Sequence, residues 1–206
     1  FVQVRLEHHA DAAALRQQPL DRARAAAAGA DRHVVRVAVG HELLHLLLIG
    51  SDNAAARVLA RVSPWGEHGF IGRMNEKATE LGLEHTRFTD PSGLDDDNVS
   101  SAYDLSRLIV YAASNETLAP IMQKADHTAV MARRKVKVTN TNKLLGGEWD
   151  VRAGKTGFIR KSGYCFAALL QLPQGPQVAV VVLGATSNVG RFMETRHIIN
   201  WLSTKA

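Results

Sequence analysis

Cysteine is nearly absent from this chain: among 206 residues there is one, Cys165. A single thiol excludes an internal disulfide and any cysteine-rich metal centre. Long apolar runs are absent too. No run, the leucine-rich Leu46–Ile49 with Leu43 and Leu44 close by included, approaches the ~18 residues that a membrane-crossing helix needs. No serine or threonine precedes Ser51, and no lysine precedes Lys77. The first part of the chain therefore offers neither a hydroxyl nucleophile nor a lysine base.

The stretch 1–32 differs from the remainder of the chain. It holds ten alanines and five arginines with little hydrophobic periodicity. Ala10–Leu15 and Ala25–Ala28 are expected as short helices, the second ended by Gly29. The chain begins at Phe1 rather than at methionine and is expected to be a fragment; its start carries no apolar signal-peptide core. Ala/Arg-rich sequence without Ser, Thr or Lys is what GC-rich coding sequence yields when read out of frame. The alternative is a genuine, poorly ordered arm. The expected organisation is an atypical segment 1–32 followed by one partial domain, 33–206.

What the chain does contain is ordinary globular material. Hydrophobic residues make up 46% and charged residues 22%, which argues against wholesale disorder. A chain of this length buries roughly 70% of its unfolded surface and needs no covalent staple. The net charge of +5 admits an acidic partner, either nucleic acid or an anionic envelope polymer. Only Arg133, Arg134, Lys135 and Lys137 cluster, so a solvated basic surface is the expectation and no nucleic-acid partner is expected.

Periodicity predicts helices first. Val34, Val35, Val37 and Val39 suggest a short extended piece, and Glu42–Ile49 a buried helix apolar on nearly all sides. Ser51-Asp52-Asn53 supplies cap side chains for a helix with Ala55, Val58, Leu59 and Val62 on one face, stopped by Pro64 and Gly66. Phe70, Met74, Ala78 and Leu81 have helical spacing, closed by Gly82. Asp90-Pro91-Ser92-Gly93 is a turn. Ser101 and Asp104 form a capping box before Leu105, Leu108, Ile109 and Ala112. Another short helix holds Leu118, Ile121 and Met122. The period then changes. Val136 and Val138 alternate with lysines as a half-exposed strand. Val151–Ile159, Tyr164–Leu172 and Val178–Leu183 are expected strands, with a hairpin at Pro173–Pro176. Arg191–Leu202 closes as a helix with Phe192, Thr195, Ile198, Ile199 and Leu202 inward. This order reads as an α+β fold with an antiparallel sheet.

Two short motifs carry candidate chemistry: Ser51-Asp52-Asn53 before a helix, and Lys155-Thr156-Gly157 on a strand. Taken singly, the first is satisfied by helix capping and the second by an edge-strand turn. Between and around them lie Met74-Asn75, Leu81-Gly82-Leu83, Asp90-Pro91-Ser92-Gly93-Leu94 and Ser101-Ala102-Tyr103-Asp104-Leu105. Asn140 with Asn142, Gly163-Tyr164-Cys165 and Arg191-Phe192 complete the set. Together these resemble the D-alanyl-D-alanine carboxypeptidases, serine peptidases of the penicillin-binding and β-lactamase-like superfamily, over about Val34–Lys205. No Glu-x-x-Leu-Asn of a class A β-lactamase occurs, which favours the carboxypeptidase branch.

The resemblance implies an acyl-enzyme reaction that removes the terminal D-alanine of a peptidoglycan stem peptide, in the periplasm or cell envelope. It implies no cofactor. Stem peptides are the implied partners, and β-lactams those of a complete enzyme. Ser51 is then a hydroxyl relay to the leaving amine, and Asn53 a partner of the substrate amide and of a catalytic lysine. Lys155 supplies positive field and Thr156 meets the substrate carboxylate. Gly157 admits substrate backbone as an added strand, and the Phe158 N–H serves the oxyanion hole.

His41-Glu42-Leu43-Leu44-His45 matches the His-Glu-x-x-His pattern of zinc peptidases. No further histidine lies at metzincin spacing, the helix is apolar, and the resemblance gives this helix no metal role, so no metal is expected. The family's nucleophile motif, Ser-x-x-Lys ahead of Ser-Asp-Asn, occurs nowhere in the sequence. The chain as given is therefore expected to be inactive. Without the nucleophile helix, the apolar faces of Leu43–Leu48 and of Val178–Leu183 are expected to lie open. A non-catalytic peptidoglycan-binding relative and a β-lactamase-like hydrolase stand as alternatives.

Overall fold

The computed structural model describes residues 32–131, 134–173 and 175–204; the two short helices expected before Ala30 lie outside the described residues. Five helices come first: α1 (Arg32–Gly50), α2 (Asn53–Val62), α3 (Gly66–Glu80), α4 (Ala102–Ala113) and α5 (Leu118–Met122). Strands β1 (Asp126–Met131), β2 (Arg134–Thr139), β3 (Asp150–Ile159), β4 (Gly163–Gln171) and β5 (Gln177–Ala185) follow, and α6 (Asn188–Ser203) closes the chain. This is the predicted α+β order.

Strands β3, β4 and β5 form one antiparallel sheet in that order, in agreement with the short connections between them. β4 lies in the middle and is buried on both faces. Ala167 and Leu169 pack with Leu43–Ile49 of α1 and Ile109 of α4. Phe166, Ala168 and Leu170 pack with Phe192 and Ile199 of α6. A strand covered on both sides reads as a continuous apolar run, which is why Phe166–Leu170 shows no alternation. Each large side chain so buried contributes about 1.5–3 kcal/mol. β3 has a strand neighbour on one side only, among the described residues.

Several expectations are corrected. Val34–Val39 is not extended; it forms the first part of α1. No proline interrupts Arg32–Gly50, and once Glu42–Ile49 has nucleated, adding a residue costs only the few tenths of a kcal/mol of β-branching. β1 was not foreseen. It pairs antiparallel with β2 from Asp126↔Thr139 to Met131↔Arg134, and its polar start, Asp126-His127-Thr128, hid the strand pattern. β2 is more exposed than half, with Val136 among the exposed residues. Ile198 points outward at 37% exposure, one turn-position off the inward face of α6. Leu43–Leu48 are buried, each exposed by 9% or less, so this helix face is covered rather than open. On β5, Val180 and Val182 are buried and Leu183 remains exposed.

The capping box at α4 is half formed. Ser101 Oγ accepts from Asp104 N, but the Asp104 carboxylate turns away to accept from His85 N (2.8 Å) and Thr86 Oγ1 (2.7 Å). Burial works to raise the Asp104 pKa; these bonds outweigh it and hold the carboxyl below its usual range. The other family-like residues of this region are scaffold as well. Asn75 grips both the N–H and the C=O of Phe88. The Asp90 carboxylate collects Ser92 N, Gly93 N and Asn98 Nδ2.

Candidate active site

Ser51 occupies a sharp reversal between two helices. α1 ends at Gly50, and Asp52 caps α2 through Oδ1, which accepts from Ala55 N at 2.8 Å. Ser51 is left with φ of 57°, the only non-glycine residue in the left-handed region among those described. A side chain there carries a strain of order 1 kcal/mol, and such strain gathers at functional sites. The serine is half-buried.

Lys155 reaches the same point from β3, 104 positions later in the chain. It pairs in register with Ala167, so its side chain leaves the sheet on the helical face. Its Nζ donates to Ser51 Oγ at 2.5 Å and to the Thr156 carbonyl at 2.8 Å. The lysine is 7% exposed. No carboxylate neutralises it among the described residues. Loss of water, with a smaller contribution from the Arg191 guanidinium, pushes its pKa down to about 8.

Thr156 Oγ1 lies 2.7 Å from Thr141 Oγ1. Thr141 is itself tied to the end of α1, since its N–H donates to the Ile49 carbonyl. Asn140 and Asn142 hold this crossing in place. Asn140 Nδ2 donates to the Met122 and Lys124 carbonyls, and its Oδ1 accepts from Asn142 N. Arg191, from α6, clamps the far end of the strands by donating to the carbonyls of Gly157 and Cys165. Phe158 is 53% exposed and stacks on Tyr164 with ring centroids 4.2 Å apart.

The structure thus brings together Ser51, Lys155, Thr156 and Gly157, as the motifs required. It does not bring in Asn53, which is exposed at the first turn of α2 and whose side chain makes no hydrogen bond among the described residues. Two contributors were missed as site residues. Thr141 sits between the two asparagines the sequence had singled out, and Arg191 had been noted only as part of the resemblance. Hydrogen-bond capacity beside a quoted motif was the available signal.

The His41–His45 pair is engaged elsewhere. His45 Nδ1 lies 2.9 Å from the His41 carbonyl, and its Nε2 lies 2.9 Å from Lys124 Nζ. His127 donates to Glu42 at 2.8 Å and stacks on His45. Because an ammonium can only donate, His45 Nε2 is the acceptor and its proton sits on Nδ1. Burial, with the nearby His127 and Lys124, pushes the His45 pKa down to about 4.

A serine–lysine contact between a helical region and an antiparallel strand, with threonine and glycine following the lysine, defines a class of serine peptidase cleft. A family model described as D-alanyl-D-alanine carboxypeptidase matches residues 22–187, and the chain belongs to that family. It is 33% identical over 177 residues to a D-alanyl-D-alanine endopeptidase of Pseudomonas aeruginosa, covering 82% of this chain and 57% of that one. A Streptomyces DD-transpeptidase superposes with a TM-score of 0.72 at 29% identity, over 78% of this chain and 66% of that one. A penicillin-binding protein of Listeria monocytogenes in its ampicillin-bound form gives 0.69 at 30% identity, over 78% and 66%. The chain spans about half the length of the curated relatives it matches.

Proposed function

We propose that this domain binds the D-Ala-D-Ala end of peptidoglycan stem peptides in the cell envelope, as the Ser-Asp-Asn and Lys-Thr-Gly half of a DD-peptidase cleft. The peptide runs along the open edge of β3 as an added strand. Lys155 and Thr156 meet its terminal carboxylate, Ser51 relays a proton towards the leaving amine, and the Phe158 N–H faces the scissile carbonyl oxygen. Asn53 joins only by swinging its exposed side chain inward. In a complete enzyme the same cleft takes β-lactams and turns over through an acyl-enzyme. The 206 residues contain no Ser-x-x-Lys, so release of D-alanine is not expected from this chain by itself.

The observation that carries the reading is the buried Lys155 ammonium with no counter-charge among the described residues. An unpaired buried cation is costly, and a ligand carboxylate would complete it. Gly157 adds support. A Cβ there would meet only Cys165 Cβ, at an ordinary 3.7 Å, so packing inside the protein does not require glycine. Close approach of a ligand does.

The test is a titration of isotope-labelled protein with an acetylated L-Lys-D-Ala-D-Ala peptide, followed by amide chemical shifts. Saturable shifts at Ser51 and Thr156–Phe158, absent with an L-Ala-L-Ala control, are expected. Shifts confined to other surfaces, or none at millimolar peptide, would overturn the reading.

A further inference from the structure

The Lys155–Ser51 pair has the geometry of a catalytic dyad in its own right. Ser51 Oγ is the only hydroxyl within hydrogen-bond distance of a lysine ammonium among the described residues; Lys77, Lys124 and Lys161 engage Glu80, His45 and Asp96 instead. The separation is 2.5 Å, within the reach that proton transfer needs. The lysine is buried, and the serine sits half-buried on a left-handed reversal between two helices. On the other side of the lysine, the Thr156 carbonyl accepts one N–H. A neutral Lys155 keeping that bond turns its lone pair towards the Ser51 hydroxyl. No carboxylate is present among the described residues to hold the lysine in its charged form.

We infer that in this chain Ser51 is itself a nucleophile, activated by Lys155 as general base, and that it is acylated by activated esters. In the first step the Ser51 hydroxyl proton passes to Lys155 Nζ. The Oγ–C bond forms, the ester C–O bond breaks, and the ammonium returns the proton to the leaving oxygen. In the second step water attacks the acyl-serine, Lys155 takes a proton from that water, the carbonyl C–Oγ bond breaks as Lys155 passes that proton to Ser51 Oγ, and the acid and free Ser51 are released. No co-reactant beyond water is required. The inference goes beyond the relay role of Ser51 in peptide binding and does not depend on that binding, so either can fail alone.

Burial supplies the right base strength. With its pKa at about 8, on the order of a tenth of Lys155 is neutral at pH 7 and about nine-tenths at pH 9. Acylation should therefore rise about tenfold over that interval and then level off. Attack by hydroxide rises about a hundredfold over the same interval and does not level off.

The experiment treats the full chain with p-nitrophenyl acetate between pH 6 and 10. Nitrophenolate release is followed, and the acetylated residue is located by peptide mass mapping. A burst near one equivalent, the acetyl group on Ser51 and a plateau above about pH 9 are expected. Ser51→Gly suits the left-handed backbone and should abolish the burst with the fold retained by circular dichroism. Lys155→Met should slow it at least about a hundredfold and remove the pH inflection. Acetylation spread over lysines without Ser51, a rate that keeps climbing with hydroxide, or a burst that survives in folded Ser51→Gly would each overturn the inference.

Discussion

Two polar clusters are built at the ends of the apolar stretch of α1, and they are balanced in opposite ways. At one end His45 is enclosed, and both ring nitrogens find partners in His41 and Lys124, while His127 pairs with Glu42. At the other end Lys155 is also enclosed but, among the described residues, meets only a hydroxyl and a carbonyl. In the first cluster donors and acceptors match and the buried group is neutral. In the second a charge is left over. A satisfied polar cluster is compatible with a purely structural role; a buried ammonium without an anion stores unfavourable energy that a ligand or a proton transfer can release.

The largest effect expected from this contrast is acid sensitivity at the histidine end. His45 has its pKa lowered from 6.5 to about 4 in the folded protein. As pH falls below 6.5 the unfolded chain takes up the proton first, so stability is lost between about pH 6.5 and pH 4 and is level below that. The size is about 3 kcal/mol. Denaturant melts across this range should show the loss, and His45→Gln should flatten it. An unchanged slope in that variant would place the acid sensitivity elsewhere.

The lysine end should behave as the converse. Its pKa is lowered from 10.5 to about 8, so the unfolded state binds the extra proton between those values and stability rises with pH across that window. Lys155→Met removes the unpaired charge while keeping the length of the side chain. It should raise stability at pH 7 by about 2 kcal/mol and erase the alkaline slope, while abolishing the peptide-induced shifts. A destabilised Lys155→Met protein would mean that the ammonium is balanced after all.

The smallest effect sharpens the boundary between the clusters. Thr141 ties Thr156 to the end of α1, on the side of the unpaired charge. Thr141→Val should cost about 1 kcal/mol, the worth of one buried hydrogen bond with a partner left over. It should leave the acid slope of His45 untouched. Thermal melts at pH 5 and pH 8 would show equal losses if the two clusters are independent.

Much of this was readable along the chain. The three-stranded antiparallel sheet followed from tight connections between apolar runs, and the Asp52 cap and the Gly82 stop from residue type alone. The meeting of Ser51 with Lys155 followed from motif order. Other features were not readable. β1 begins with three polar residues and becomes a strand because β2 offers it a partner. Asp104 had the spacing of a capping box, yet it serves His85 and Thr86, because a buried carboxylate goes where unpaired donors are. His41 and His45 matched a zinc pattern at helical spacing. The engagement of His45 by Lys124 and its stacking on His127 depend on β1 and on the segment before it, far along the sequence.

Helix and strand identity, turn positions, strand order and the residue types of the cleft depend on contacts within a few residues or on one short connection, and the linear sequence carried them. Burial, electrostatic field and hydrogen-bond partnership are sums over elements far apart in the chain. Folding alone decided that Lys155 would be enclosed with no carboxylate beside it among the described residues, that Ser51 would stand 2.5 Å from it on a left-handed turn, and that Asn53 would be left facing solvent. The same residues at the same spacing, on a strand a few ångströms nearer to water, would keep an ordinary lysine and an unreactive serine. The tertiary structure sets the proton affinity of the site because proton affinity follows the local supply of water and charge.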